Sequence, residues 1–340
     1  MAVCPSCGEP VSTDARFCEA CGAELSATAS AVATAAASPA STGVCVSCGA
    51  AASEIAVDGY CGHCGMKQPA PGDHREIDLG AVAAVGDRGL HHHRNEDAFA
   101  ISQVDLPGSV VRIIVVCDGV SSTAEAHLAA QAAADAACAT LSAGASTGSA
   151  CFAELTIDAI AAAQGAASAI PPRDGVTPSC TIVTAIASIR RLPAQTAARA
   201  EAAEASVTIG WLGDSRAYWM SDSDLRQLSI DDSWSSEQIA AGMSEDAAYN
   251  DRRAHVITRW LGADATDLVP RVETLHLARP SKLLLCSDGL WNYAPTTHAL
   301  AARIAEQGAP ASNLQLARAL TNFARDAGGH DNITVAIADL

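Results

Sequence analysis

The chain of 340 residues predicts an α+β fold: two mostly antiparallel sheets with helix pairs on their outer faces, preceded by two small zinc ribbons. Three observations predict it. The apolar patterns run in the order strands, two alanine-rich helical stretches, many strands, two helical stretches, one strand. Short β-branched runs end repeatedly in an Asp-Gly pair. Four CxxC pairs fall within the first 64 residues.

At the amino end, Cys4 and Cys7 are followed ten residues on by Cys18 and Cys21, and Cys45 and Cys48 twelve residues on by Cys61 and Cys64. Each pair forms a knuckle with two thiolates, and two knuckles complete a tetrahedral set for zinc. A segment of about twenty residues has too little core to fold alone, so the metal supplies the fold. All four positions of each site are filled, so two structural Zn²⁺ are expected and His63 is a bystander. Disulfide loops or redox pairs are the plainer reading, and no thioredoxin-like context supports them. Between the ribbons, residues 26–42 are small, uncharged residues with one proline, a flexible tether. The boundaries read 1–26 and 43–68 for the ribbons, 27–42 and 69–77 for linkers, and 78–340 for the large domain.

The run VVRIIVVCDGVSS, residues 110–122, holds six apolar β-branched residues in its first eight, too short for a helix and suited to a buried strand. It ends at Asp118 and Gly119. The device returns in KLLLCSDG, 282–289, and more loosely where Asp331 and Asn332 lead into ITVAIAD. A fourth group, Asn95, Glu96 and Asp97, precedes Phe99 and Ile101. Singly, an Asp at a strand end is most often a turn former or cap. Together, such acids suit a hard divalent cation, which takes oxygen ligands of matching charge. Helices are expected over 123–141, ended near Gly144, and over 150–170, 296–307 and 312–326. Residues 206–212 form a strand that resumes at 217–220 after the Gly213–Arg216 turn. Residues 192–205 read as a loop, and 231–253 as a polar flap with a short helix at 235–242.

The net charge of −17 argues against nucleic acid or an anionic membrane as partner, since both reward clustered Lys and Arg. No run of eighteen apolar residues offers a membrane span, and the start MAVCPSCGEP lacks the regions of a signal peptide, so a cytoplasmic location is expected. Cys117, Cys138, Cys151, Cys180 and Cys286 stand in apolar company and read as core. Trp211, Trp219 and Trp260 read as packing.

RNEDAF, VVCDGV, SCTIVTAI, GWLGDSRAY, VITRWLG, LLLCSDGLW and GGHDNITV occur in that order across residues 85–337. Together they resemble the metal-dependent PPM-type (type 2C) Ser/Thr protein phosphatases, and the tandem ribbons resemble the double zinc ribbons of bacterial regulatory proteins. The resemblance implies an α-β-β-α sandwich holding two Mg²⁺ or Mn²⁺ ions. It assigns Asp118 as the carboxylate touching both ions, the Gly119 carbonyl and Glu96 to the second, and Asp288 and Asp331 to the first. Asp97 is implied to orient water, Asp214 to serve a weaker third ion with Asp288, and Asn332 to support its loop. Paired cations lower the pKa of a bridging water and neutralise phosphoryl oxygens, so hydrolysis by a bridging hydroxide needs no phosphoenzyme.

Three departures stand out. The family's phosphate-gripping Arg is His92 here, leaving Arg94, Arg88 or His92 itself as candidates for that role. Val120 occupies a position where some members carry His, and Ser121 and Ser122 replace a glycine pair. Expected partners are phosphorylated proteins, including a Ser/Thr kinase and its targets, recruited through the ribbons. The alternative is a phosphatase-fold binding module without turnover.

Overall fold

A computed structural model describes residues 44–70, 72–123, 125–148, 151–191, 204–308 and 311–340, with the short strand pieces Ala2–Val3, Pro10–Val11 and Ala31–Val32. The first ribbon's cysteines, most of the 27–42 tether and residues 192–203 lie outside the described residues.

The strands are β1 His74–Asp78, β2 Val82–Asp87, β3 Ala98–Leu106, β4 Ser109–Cys117, β5 Ile182–Arg190, β6 Glu204–Leu212, β7 Arg216–Met220, β8 Leu225–Gln227, β9 Arg271–Ala278, β10 Lys282–Cys286 and β11 Ile333–Asp339. One sheet runs β9-β6-β5-β4-β3, with Ala31–Val32 beyond β3, and the other runs β8-β7-β10-β11-β2-β1. Every neighbouring pair in both is antiparallel. The helices are α1 Ala126–Ser146, α2 Phe152–Ser168, α3 Trp234–Ala240, α4 Glu245–Tyr249, α5 Asp288–Trp291, α6 Thr297–Glu306 and α7 Asn313–Asp326.

Alternation along β4 explains the layering. Val111, Ile113, Val115 and Cys117 face α1 and α2, while Val110, Ile114 and Val116 meet the second sheet. Because helices cover the outer face, this antiparallel strand is apolar on both sides. Leu284 and Cys286 of β10 and Val335 and Ile337 of β11 turn outward against α5, α6 and α7. The result is the expected α-β-β-α sandwich, with the inter-sheet core at its centre. Buried Ala129, Ala130, Ala133, Ala134 and Ala137 let α1 lie close to its sheet.

The structure corrects several expectations. Helix α1 continues past Gly144, where a Cβ would meet Leu155 Cδ1 at 2.3 Å; packing of α2, not helix ending, explains the glycine. Residues 217–220 do not resume the strand of 206–212: β6 and β7 belong to different sheets, and the chain crosses between them at Gly213, whose φ is +109°. His74–Asp78 forms the edge strand of the second sheet, so the large domain begins by residue 74 rather than 78. Cys151 is exposed, being the residue that precedes α2 rather than part of its apolar face. The segment 231–253 carries two short helices, α3 and α4, capped by Ser233 and Ser244.

Ile101 is fully buried between the sheets. Ile101→Ala is expected to lower stability by about 2–5 kcal/mol, read by urea unfolding; a loss below ~1 kcal/mol contradicts the inter-sheet packing.

Candidate metal centre and active site

Strand register gathers the acids at one end of both sheets. Ala98 pairs with Cys117, which sets Asp97 beside Asp118. In the facing sheet Cys286 pairs with both Val335 and Arg216, so Asp288, Asp331 and Asp214 leave their strands at a common edge.

Each loop is fixed by specific contacts. The Thr181 N–H donates to the Asp118 carbonyl at 2.8 Å, and the Thr181 and Ser215 hydroxyls share a hydrogen bond of 2.8 Å. Trp291 Nε1 donates to the Asp214 carbonyl at 3.0 Å, and the Gly213 N–H donates to Asp232 Oδ2 at 3.2 Å. Asn332 ties three segments together: its amide donates to the carbonyls of Arg88 and Arg94 at 2.8 and 3.0 Å, and its Oδ1 accepts the Glu96 N–H at 2.7 Å. Gly119 and Gly289 permit these approaches. A Cβ would lie 2.5 Å from the Glu96 carbonyl at Gly119 and 1.9 Å from the Asn332 carbonyl at Gly289.

The electrostatics of the cluster are unfavourable without a cation. Burial, then the charges of Asp97, Asp288, Asp331 and Asp214, push Asp118 well above the ordinary carboxylate range. Burial, then Asp331, raises Asp288 to about 7. Asp97 rises to about 7, chiefly through burial, although the Ser287 hydroxyl donates to its Oδ2 at 2.6 Å. Burial followed by Asp288 lifts Asp214 well above its usual value. Glu96 is also raised by burial, against the pull of Ser121, His92 and Arg94.

The nearby cation Arg216 is committed to Asp231 at 2.7 Å and lies over the Trp291 ring at 3.8 Å. Asp97 Oδ1 and Asp288 Oδ1 are buried without a hydrogen-bond partner. Unpaired buried carboxylate oxygens facing further carboxylates fit divalent cations taken up by oxygen ligands. No three of these acids bring ligand atoms within 4.8 Å of one another among the described residues; that closeness belongs to the four cysteines of the second ribbon.

On the phosphate side, His92 Nε2 lies 3.2 Å from Asp331 Oδ1. Arg94 is turned toward His127 Nδ1 at 3.2 Å and Glu125 at 3.5 Å, and Arg88 pairs with Asp73 at 3.2 Å. Of the three candidates for the arginine's role, His92 has its side chain in contact with Asp331, while Arg94 acts on Glu96 through its charge. Ser287, Thr181, Ser215 and Trp291 were not singled out from the sequence. Position near Asp-Gly or Gly-Asp turns signals Ser287, Ser215 and Trp291, and no local signal marks Thr181.

In the second ribbon, Cys45, Cys48, Cys61 and Cys64 place their sulfurs within 4.8 Å of one another, at 3.6 Å for Cys45–Cys64 and 3.8 Å for Cys48–Cys61. The backbone N–H of Cys48 draws the Cys45 thiol down to about 6, while Cys48 itself is pushed up to about 12, against the Ala50 N–H, by the Cys64 sulfur and burial, so the low-lying thiolate of the pair sits at Cys45. The fit to a tetrahedral zinc is direct.

The family profile for protein phosphatase 2C matches residues 88–323, so the chain belongs to the protein phosphatase 2C family. A zinc-ribbon domain profile matches residues 3–25. The chain is 34% identical over 143 residues to the serine/threonine phosphatase stp of Listeria welshimeri, covering 40% of this chain and 53% of that protein. It thus spans about half the length of the curated relatives it matches. The serine/threonine phosphatase PstP/Ppp of Mycobacterium tuberculosis superposes with a TM-score of 0.56 at 24% identity, over 76% of this chain and 97% of that one. The catalytic domain of PstP in complex with two manganese ions gives a TM-score of 0.51 at 22% identity, over 76% and 96%. These similarities show the fold. Among the described residues, no helix is long and apolar enough to cross a membrane.

The raised carboxyls hold protons in the native state, between about pH 4 and 7, that the unfolded chain has already released. Without metal, the cluster's contribution is therefore fullest below about pH 4 and is lost as pH rises through about 7. Thermal unfolding of metal-stripped protein is expected to show a larger Mn²⁺-induced rise in Tm at pH 8 than at pH 5. An equal or inverse dependence contradicts the assignment.

Proposed function

We propose that the large domain hydrolyses phosphoserine and phosphothreonine in proteins, with two Mg²⁺ or Mn²⁺ ions held by Asp118, Glu96, the Gly119 carbonyl, Asp288 and Asp331, and a weaker third at Asp214. The observation that carries this reading is the set of buried, mutually repelling acids with two unpartnered oxygens, Asp97 Oδ1 and Asp288 Oδ1, at the common end of two sheets. Manganese in the PstP catalytic domain supports the choice of ion. When bound, the cations supply positive charge that offsets the phosphoryl oxygens and make water more acidic.

The chain's own residues do the rest. Asp97 is buried and held at Oδ2 by Ser287, so its free Oδ1 is fixed to orient and accept a proton from an attacking water. His92 stands over Asp331, with Nε2 3.2 Å from Oδ1, and a ring N–H is available to a phosphate oxygen. Thr181 and Asn332 keep Asp118 and Glu96 in register, which limits reorganisation as charge develops. The zinc ribbons, at 1–26 and 43–68, act as a recruiting or regulatory module, with a Ser/Thr kinase and its targets as partners. His92 in place of an arginine is the feature that keeps the alternative, a binding module with weak or no turnover, in play, and the similarity to Ser/Thr phosphatases does not favour it.

Mn²⁺-dependent hydrolysis of a phosphothreonine peptide by the full chain tests both readings. Asp288→Asn is expected to reduce kcat by about 10²-fold or more, and His92→Ala to raise KM by about tenfold, the worth of one charge-assisted hydrogen bond. A folded, metal-loaded protein without turnover establishes the binding module instead.

A further inference from the structure

We propose that the second zinc ribbon is a positioning element for the loop that carries His92, acting through Lys67 and through an Asp73–Arg88 strap. This rests on the phosphatase reading only for its kinetic consequence, since the mechanical coupling stands on contacts alone.

The first contact starts at the metal ligands. Gln68 is buried, its Nε2 donates to Cys45 Sγ at 3.2 Å, and its Oε1 accepts the Val46 N–H at 2.9 Å. The Gln68 N–H donates to the Gly59 carbonyl at 2.7 Å, and Lys67 bridges to Tyr60 on the strand-like run entering the second knuckle. Thiolate geometry at Cys45 therefore fixes where Lys67 leaves the ribbon. Its Nζ then donates to the carbonyl of His93, one residue beyond His92.

The second contact follows in the linker. Asp73 is locked by its own turn, its Oδ2 accepting the Ala70 N–H at 2.9 Å and its N–H donating to the Ala70 carbonyl at 3.0 Å. The Asp73 carbonyl accepts the Arg88 N–H at 2.7 Å, and its carboxylate lies 3.2 Å from Arg88 Nε. Arg88 Nη1 in turn donates to the His92 carbonyl. The carbonyls of His92 and His93 thus take their hydrogen bonds from a linker-bound arginine and a ribbon lysine. His92 Nε2 then reaches Asp331.

What lies behind the loop makes these straps matter. A cavity of about 530 Å³ lined by Pro69, Asp73, Asp87, Arg88, Gly89 and Leu90 lies on one side of the turn entering the loop, while Gly89 packs on the carbonyls of Gly329 and Asp331 on the other. Other anchors hold the loop's ends: the Leu90 N–H donates to the Gly329 carbonyl at 2.8 Å, and Asn332 grips the carbonyls of Arg88 and Arg94. Between them, His91 stacks on His330 at 4.5 Å, and the ribbon and linker supply the remaining backbone contacts. A partner that displaces the ribbon, or loss of its zinc, releases the loop that presents His92 to substrate.

The test uses the full chain with zinc content measured, comparing wild type, Lys67→Ala, Lys67→Arg and Cys64→Ser. Hydrogen exchange of the peptide covering residues 88–94 is the primary readout. Lys67→Ala and Cys64→Ser are expected to speed exchange there about fivefold, the scale of one lost hydrogen bond, with β4 and β11 unchanged. Lys67→Arg, which keeps a donor, is expected to restore it. KM for a phosphothreonine peptide is expected to rise in parallel while kcat changes less. Unchanged exchange at 88–94 in Cys64→Ser that has lost one zinc, or in Lys67→Ala, overturns the proposal. Faster exchange in a chain with no turnover keeps the coupling and rejects the phosphatase reading.

Discussion

The structure depends on a repulsion. Asp97, Asp118, Asp214 and Asp288 are drawn out of water at the mouth of two packed sheets, and their charges oppose one another. Buried like charges of this kind persist only where protons or cations neutralise them. The sandwich imposes the arrangement because antiparallel register leaves no freedom at the strand ends. Once Ala98 faces Cys117 and Cys286 faces Val335, the residues just beyond must crowd together. Around them, polar groups are spent on the backbone of the loops: Thr181 on Asp118, Trp291 on Asp214, Asn332 on Glu96. Asp97 Oδ1 and Asp288 Oδ1 are left buried without a partner.

Much of this was legible in the residues. An apolar β-branched run stopping at Asp-Gly announces a buried strand with a carboxylate at its end, and Asp118 and Asp288 stand where that pattern puts them. The order of helical and strand patterns sufficed for the sandwich, since two sheets covered on both sides need helices in pairs. The cap at Ser312 is readable because a side-chain oxygen before an apolar helix is a local signal.

Nonlocal features were not readable. Gly213 looks like a turn within one strand, yet it carries the chain from one sheet to the other and so aims Asp214 into the cleft. Gly144 resembles a helix stop, and only the packing of Leu155 shows why a glycine stands there within the helix. Gly289 follows Asp288 like any turn glycine, whereas its hydrogen is required by the carbonyl of Asn332, forty-three positions away in the sequence. The pattern of residues 69–77 reads as a linker, yet His74–Asp78 closes the second sheet and Asp73 holds Arg88.

The most direct test of the account is anomalous scattering at the manganese edge from crystals of the full chain grown with Mn²⁺. It predicts at least two peaks within coordination distance of oxygens from Asp118, Asp288 and Asp331, with the Asp288 Oδ1 atom now partnered. Peaks elsewhere, or none among these carboxylates in well-ordered crystals, would contradict it.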